Sequence, residues 1–449
     1  MVELETLLTS HPALAPENGG EGELEKAKAL VDWLKKEGFA ENQIQKIDAP
    51  DSRVKSGVRP NVIVTIPGES DDFAVWVMAH LDVVPAKKED GWDTDPYQMV
   101  EKDGILYGRG VADDKGAVVA SMIAMKVLRD LGTPLNKRVR LIMGTNEESG
   151  SRGLKYYVEH DEQPTYGFTP DGDFPCIHGE KGGLGLKYVS RKTSIRDIQG
   201  GTAGNIVCKN CYAVVDKCSF SRKKLEDYFN NNDMKYEITD NGETVRIDVE
   251  GIAAHASLPE LGKNAIAYLL TGLKEAGYQD PFVDFFCSRV GLNTDGEGLG
   301  LKISDEYGAL TCNCGVIHMT DGVIAGNLDI RFPVTYTSKQ VIRLMQDNAE
   351  GEGGSIEVVH AGEPLFFPID SPLVEALTES YREVTGDMTE PMVIGGGTYA
   401  KGLNNTIAFG CAFPGTDYRI HNTNEWCPID ELLKQAEIYV AGIQKLLSL

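Results

Sequence analysis

The stretch Phe73-Ala74-Val75-Trp76-Val77-Met78-Ala79 runs without a break into His80-Leu81-Asp82. An apolar run of this kind, rich in β-branched and aromatic residues, reads as a buried strand. Residues two apart on an extended chain share a face, so His80 and Asp82 stand side by side at the strand's end. A carboxylate beside an imidazole fixes its tautomer and raises its basicity, which is how a metal-ligating histidine is commonly held. Taken alone, such a pair is more often a structural hydrogen bond than a ligand site, and its meaning depends on what the rest of the chain brings to it.

The same pattern recurs. Asn61–Ile66 and Val139–Met143 read as strands, and the second ends in Asn146-Glu147-Glu148. Another short strand ends at Asp171. Between them lie helical patterns. Glu23–Gly38 carries Leu24, Ala27, Leu30, Val31 and Leu34 on one face, and the helix after Gly116 carries Val118, Met122, Ile123, Val127 and Leu131, closed by Gly132 and Pro134. Ser151–His160 is a further helix. Alternating strands and helices indicate an α/β layer with a mixed, mostly parallel sheet flanked by helices. In such sheets functional residues gather at the carboxyl ends of the strands, where His80, Glu147, Glu148 and Asp171 all fall.

Near Gly182 the pattern changes to short strands, such as Thr244–Val249 after the turn Asn241-Gly242 and Gly326–Phe332, with helices such as Asn264–Ala276 interleaved. A proline-containing stretch at 364–372 precedes a return to the first pattern: a helix over Pro372–Thr385, strands Met392–Ile394 and Thr406–Phe409, and a last helix over Ile429–Leu447. The expected organisation is a catalytic domain from residues 1–183 and 364–449 with an inserted α+β domain over 184–363.

The 449 residues carry 68 acidic and 44 basic side chains, a net charge of −24, which argues against nucleic acid and anionic membrane partners. No apolar run reaches the length of a membrane span, and the first ten residues lack the pattern of a signal peptide. Nine scattered cysteines then fit free thiols in a reducing, cytoplasmic compartment. Cys208, Cys211 and Cys218 lack a fourth ligand at the spacing of a zinc knuckle, and Cys312 and Cys314 read as alternate residues of a strand.

His80, Asp113, Glu148, Asp171 and His421 are five candidate metal ligands. One zinc ion takes three or four, so the set suits two ions sharing a carboxylate. Paired ions roughly 3.5–4 Å apart polarise a substrate oxygen and bring a bound water's pKa down to about 7. A carboxylate outside the ligand set must then take the water's proton and pass it to the leaving amine; Glu147 is placed to do so. Each residue has a plainer reading: Asp113-Asp114 as a helix N-cap pair, Glu147-Glu148 as a solvated charge pair, His421 as an ordinary histidine. Their joint occurrence after strand ends favours the metal site. Histidine and carboxylate ligands suit zinc, and manganese or cobalt as well.

Three blocks, His80-Leu81-Asp82, then Gly108-Arg109-Gly110-Val111-Ala112-Asp113-Asp114-Lys115-Gly116, then Asn146-Glu147-Glu148-Ser149-Gly150, resemble the signature series of the di-zinc metallopeptidases that include aminoacylases, carboxypeptidase G and dipeptidase V. The resemblance continues through Pro170-Asp171, Ala253-Ala254-His255-Ala256-Ser257, Gly262-Lys263-Asn264-Ala265 and His421-Asn422-Thr423-Asn424-Glu425. Gly179-Glu180-Lys181-Gly182 and Gly395-Gly396-Gly397-Thr398-Tyr399-Ala400 are most similar to the dipeptidase V group of Xaa-His dipeptidases.

Carried over, the resemblance implies two Zn2+ per chain. Asp113 would bridge them, His80 and Asp171 would hold one, and Glu148 and His421 the other. Glu147 would be the general base, and Asp82 would orient His80 without touching metal. The Asp113–Asp114 bond would be cis. The inserted domain would act as a lid bringing His255 to the oxyanion, with Asn205 and Arg331 aiding substrate binding. Gly395, Gly396, Gly397 and Thr398 would meet the substrate carboxylate; read from the residues alone, that run is a tight loop or a weak anion site. Aspartate rather than glutamate at 171 is similar to family peptidases that accept a free amino terminus, which favours dipeptides over the alternative, N-acyl amino acids cleaved by the same metals. The long insert is similar to lids that cover their own site, implying a monomer. Lys401 stands where an arginine is expected in close relatives, the segment before Glu23 is short, and Cys208–Cys218 is unusually rich in cysteine.

Overall fold

The computed structural model describes residues 1–132 and 135–449. Pro134, expected to close a helix with Gly132, lies outside the described residues. The chain divides into two compact units. One comprises Met1–Gly179, Phe367–Val393 and Gly397–Leu449; the other comprises Glu180–Phe366 with Ile394–Gly396.

In the first unit the strands Ser70–His80, Lys137–Gly144, Tyr166–Thr169 and Thr406–Ala408 are parallel. Val58–Ile66 and Ile44–Pro50 add on in antiparallel fashion beside Lys137–Gly144. The continuous apolar run Ala74–Ala79 within Ser70–His80 follows from burial on both faces, as parallel sheets require. Val75, Val77 and Ala79 enter one core with the helices Lys115–Asp130, Pro372–Thr385 and Ile429–Ser448, while Ala74, Trp76 and Met78 enter another with Tyr157 and Tyr399. Register sets His80 level with Gly144, so both strands finish together and their next residues emerge at one edge.

The second unit is built on a sheet that is antiparallel throughout. Among the described residues its order is Lys235–Asn241, Thr244–Glu250, Asn210–Asp216, Asp197–Gly200, Thr311–Thr320, Val323–Phe332, Gly182–Ser190, Gly354–Gly362 and Glu350–Gly351. Its strands alternate buried and accessible residues, as in Val323–Phe332, because one face is covered. The helices Arg222–Asn231, Ala265–Glu275, Pro281–Arg289 and Ser338–Met345 contribute to that core. Gly242 follows Asn241 at φ 75°, supplying the left-handed turn that joins two strands. Gly395 and Gly396 belong with this unit rather than with the final segment of the first. A Cβ at Gly395 would lie 2.6 Å from that of Ser257, and the neighbouring Ile394 carbonyl accepts the Lys181 N–H at 2.9 Å.

Each of the nine cysteines is free. Cys208 and Cys211 are buried while Cys218 is exposed, and Cys312 and Cys314 alternate along one strand. Burial pushes the Cys312 thiol up to about 12 and that of Cys208 up to about 11, which makes them poor nucleophiles. No helix among the described residues is long and apolar enough to cross a membrane.

Candidate metal centre

The edge where the parallel strands end carries the acidic cluster. His80 closes its strand, Asp113 precedes the helix Lys115–Asp130, Glu147 and Glu148 follow Lys137–Gly144, and Asp171 follows Tyr166–Thr169. One Asp113 oxygen lies 3.2 Å from His80 Nε2 and the other lies 2.8 Å from His421 Nε2. His421 Nε2 is also 3.1 Å from Glu148 Oε1. Two sets of ligand atoms fall within 4.8 Å of one another: His80, Glu147 and Asp171, and His80, Asp113 and Glu148. Donors on a tetrahedral ion, each about 2.1 Å from it, stand roughly 3.4 Å apart, so the spacing suits small divalent cations.

The electrostatics point the same way. Burial, then Asp171, hold the Glu147 carboxyl well above its ordinary range. Burial, then Asp113, raise Glu148. Burial alone would depress both imidazoles, yet contacts with carboxylates outweigh it. His80 is lifted well above normal by Asp113 and Asp82, and His421 to about 11 by Asp113 and Glu148. The cluster therefore retains protons that a divalent cation would displace.

Asp82 stands beside His80 and has a second set of partners as well. His80 Nδ1 lies 3.0 Å from the Asp82 carbonyl oxygen and 3.6 Å from its carboxylate. That carboxylate accepts the backbone N–H groups of Glu147 at 3.0 Å and Glu148 at 3.2 Å. Asp82 thus fixes the acidic pair as well as flanking the histidine.

Three neighbours escaped the sequence reading. Asp114 occupies the N-cap position but makes no side-chain cap bond; its Oδ2 accepts the His80 N–H at 2.9 Å. The bond between Asp113 and Asp114 is cis. The Tyr399 ring packs edge-on to His80 with centroids 6.2 Å apart. Lys26 is buried and its ammonium donates to the Leu81 carbonyl at 2.7 Å. A doubled aspartate was a signal for Asp114 and the glycine-rich motif for Tyr399; nothing in the local pattern marked Lys26.

Within the second unit, Asn205 and His255 are brought together. The Asn205 carbonyl accepts the Ala256 N–H at 2.9 Å, and His255 Nδ1 lies 2.6 Å from Ser257 Oγ, the residue against which Gly395 packs. Arg331 lies on Val323–Phe332 and forms a two-pronged pair with Asp329 at 2.6 and 2.9 Å. In the first unit the Thr398 hydroxyl accepts the Ala400 N–H and caps the short turn Tyr399–Gly402 that follows Gly397.

Residues 76–445 match the model of "Peptidase family M20/M25/M40". The chain is 34% identical over 398 residues to "Putative dipeptidase SH1171" of Staphylococcus haemolyticus, covering 84% of each. It is 34% identical over 396 residues to "Putative dipeptidase YtjP" of Bacillus subtilis, again covering 84% of each. Its fold is similar to that of human carnosine dipeptidase 1, with TM-score 0.59, 17% identity, and coverage of 100% of this chain and 96% of that one. Aminoacylhistidine dipeptidase from Vibrio alginolyticus aligns with TM-score 0.56, 17% identity, and coverage of 99% and 95%.

Proposed function

The chain belongs to peptidase family M20/M25/M40, and from that premise we propose that it is a two-metal dipeptidase acting on dipeptides or very short peptides with a free amino terminus. The observation that carries this reading is the Asp113 carboxylate, which offers one oxygen toward each of two histidines. That is the disposition of a carboxylate shared by two ions. His80 and Asp171 would hold one ion, Glu148 and His421 the other. The buried excess of acid fits divalent cations, with Zn2+ suited to the donors and Mn2+ or Co2+ also accommodated.

When bound, the ions supply Lewis acidity, polarising the scissile carbonyl and acidifying a water. The chain's own residues do the rest. Glu147 accepts the proton of the attacking water and returns it to the leaving amine; burial and the neighbouring Asp171 raise its carboxyl, which favours its holding the proton it accepts. Asp82 steadies Glu147 and Glu148 through their backbone N–H groups and flanks His80. The second unit serves as a lid, from which His255 donates to the developing oxyanion while Asn205 and Arg331 bind substrate. Gly395, Gly396, Gly397 and Thr398 receive the substrate carboxylate.

The names of the relatives and the short side chain of Asp171 support dipeptides over N-acyl amino acids. We take the acting species as a monomer and, from its nine free thiols, place it in the cytoplasm. A panel of dipeptides set against N-acetyl amino acids, with the chain loaded with Zn2+, Mn2+ or Co2+, tests the reading. Turnover of free dipeptides is expected; cleavage confined to acetylated substrates would overturn it in favour of a deacylase.

A further inference from the structure

Glu425 is a carboxylate with no access to solvent, at 0% exposure, and none of the roles above uses it. It lies four residues after His421, just before the strand Trp426–Pro428. One of its carboxylate oxygens accepts from Arg109 Nη1 at 2.7 Å and from the Gly110 N–H at 2.8 Å. The other accepts the N–H groups of Ala112 at 3.0 Å and Asp113 at 3.1 Å. Its backbone carbonyl accepts the Gly108 N–H at 3.1 Å. Five donors from the stretch 108–113 therefore converge on one residue.

That stretch is the approach to Asp113. It lies outside any helix or strand, so its N–H groups need partners from elsewhere. Glu425 supplies them, and the last of the four carboxylate contacts is to Asp113 itself. The same residue is tied through four peptide bonds to His421. Asp113 and His421, whose side chains meet at 2.8 Å, are thus held in relation to each other by a common anchor.

We propose that Glu425 is a positioning residue for the metal pair: without touching an ion, it sets the bridging carboxylate of Asp113 against His421. This rests on the two-metal reading above. The competing account is that Glu425 merely stabilises a loop. A matched control exists in the second unit, where Asp280, only 2% exposed, accepts the N–H groups of Ser194, Phe282 and Val283 and the hydroxyls of Thr193 and Ser194. It is as heavily loaded as Glu425, and none of its bonds reaches a candidate ligand.

The test titrates the metal-free full chain with Co2+, below the melting temperature of each variant, following calorimetric heat and the visible absorption that reports coordination geometry. Glu425→Gln turns an amide NH2 toward N–H donors. It is expected to weaken at least one of the two ions by roughly tenfold or more, the scale seen when partners that orient ligands are lost, and to alter the cobalt spectrum. Asp280→Asn should lower the melting temperature while leaving both affinities and the spectrum at wild-type values. Glu425→Asp, which keeps the charge, should recover part of the affinity. Wild-type affinities and spectrum in Glu425→Gln would overturn the proposal. So would an affinity loss in Asp280→Asn equal to that in Glu425→Gln. If Glu425→Gln does not fold, Glu425→Asp is judged by the same criterion, and unchanged binding there overturns it. Uptake of fewer than two ions by the wild-type chain would instead remove the two-metal premise, a result distinct from all of these.

Discussion

The acidic cluster at the candidate metal centre and the second unit handle carboxylates in opposite ways. In the second, Asp248 pairs with Arg246 at 2.7 Å, Asp216 with Arg196 at 3.0 Å and Asp329 with Arg331 at 2.6 Å, each with a full cation, while buried Asp280 is met by backbone and hydroxyl donors. In the first, Asp113 and Glu148 form ion pairs with imidazoles, and Glu147 and Asp114 are pushed toward their protonated forms by burial. Burying acid beside acid is costly unless something positive arrives. A satisfied cluster marks structure; one whose charge is matched only by histidines marks a place for a ligand. The same contrast separates Glu425 from Glu147: Glu425 is fully buried with a full complement of donors, whereas Glu147 is only partly buried and lies beside Asp171.

Removing Glu147 should break the contrast most sharply. Glu147→Ala is expected to lower kcat by at least roughly 10², the usual weight of general acid–base catalysis, with metal content unchanged by elemental analysis. Normal turnover in that variant would mean the proton acceptor lies elsewhere. Next in size, His255→Ala should slow turnover by about 10², the lower end of what an oxyanion donor contributes, again with metal retained; metal loss would make it a ligand. Third, Zn2+ at a hundredfold excess over its dissociation constants should stabilise the protein by about 2.7 kcal/mol for each ion bound. Hydrogen exchange should show the added protection in the segments around His80, Asp113, Glu147 and Asp171. Protection spread evenly over residues 180–366 would erase the distinction between the units.

Fourth, Asp280→Asn should cost about 1–3 kcal/mol in denaturant unfolding, because several donors lose their acceptor, with kcat untouched. The smallest effect concerns Glu5, buried beneath the site with Lys115 beside it. Burial raises its carboxyl to about 7, with Lys115 pulling it back. A carboxyl raised on folding is worth most to stability below its unfolded pKa, and that contribution is lost as pH rises through the folded value. Glu5→Gln does not titrate, so its stability relative to wild type should improve between roughly pH 5 and pH 8, read as a growing difference in Tm. A flat difference would show that Glu5 stays ionised throughout.

Much of the first unit was legible because its strands are buried on both faces. Runs such as Val75–Ala79 are continuous and stop abruptly, so the polar residues after them stand out: His80, Glu147, Glu148, Asp171. The helices Leu24–Lys36 and Pro372–Thr385 were likewise readable, with a clear apolar stripe and, in the second, proline at the start and Gly386 at the end. What stayed hidden depends on partners far along the chain. Glu425 was visible as part of a motif, but its work is with residues more than 300 positions earlier. Tyr399 is one aromatic among many until its ring is found against His80. Gly395 and Gly396 follow the second unit because of Ser257 and Lys181, contacts that local propensity does not encode.

The first unit is assembled from three stretches of chain, and His421 and Glu425 lie in the last of them. The second unit is nearly continuous in sequence. During synthesis, which exposes N-terminal segments first, residues 180–366 are all available to fold while the pair of histidines around Asp113 is still missing a member. On the two-metal reading proposed above, capture of both ions waits for the final segment to emerge. A chain cut short after residue 420 would carry four of the five ligand candidates and no Glu425, leaving the acidic cluster assembled but unneutralised.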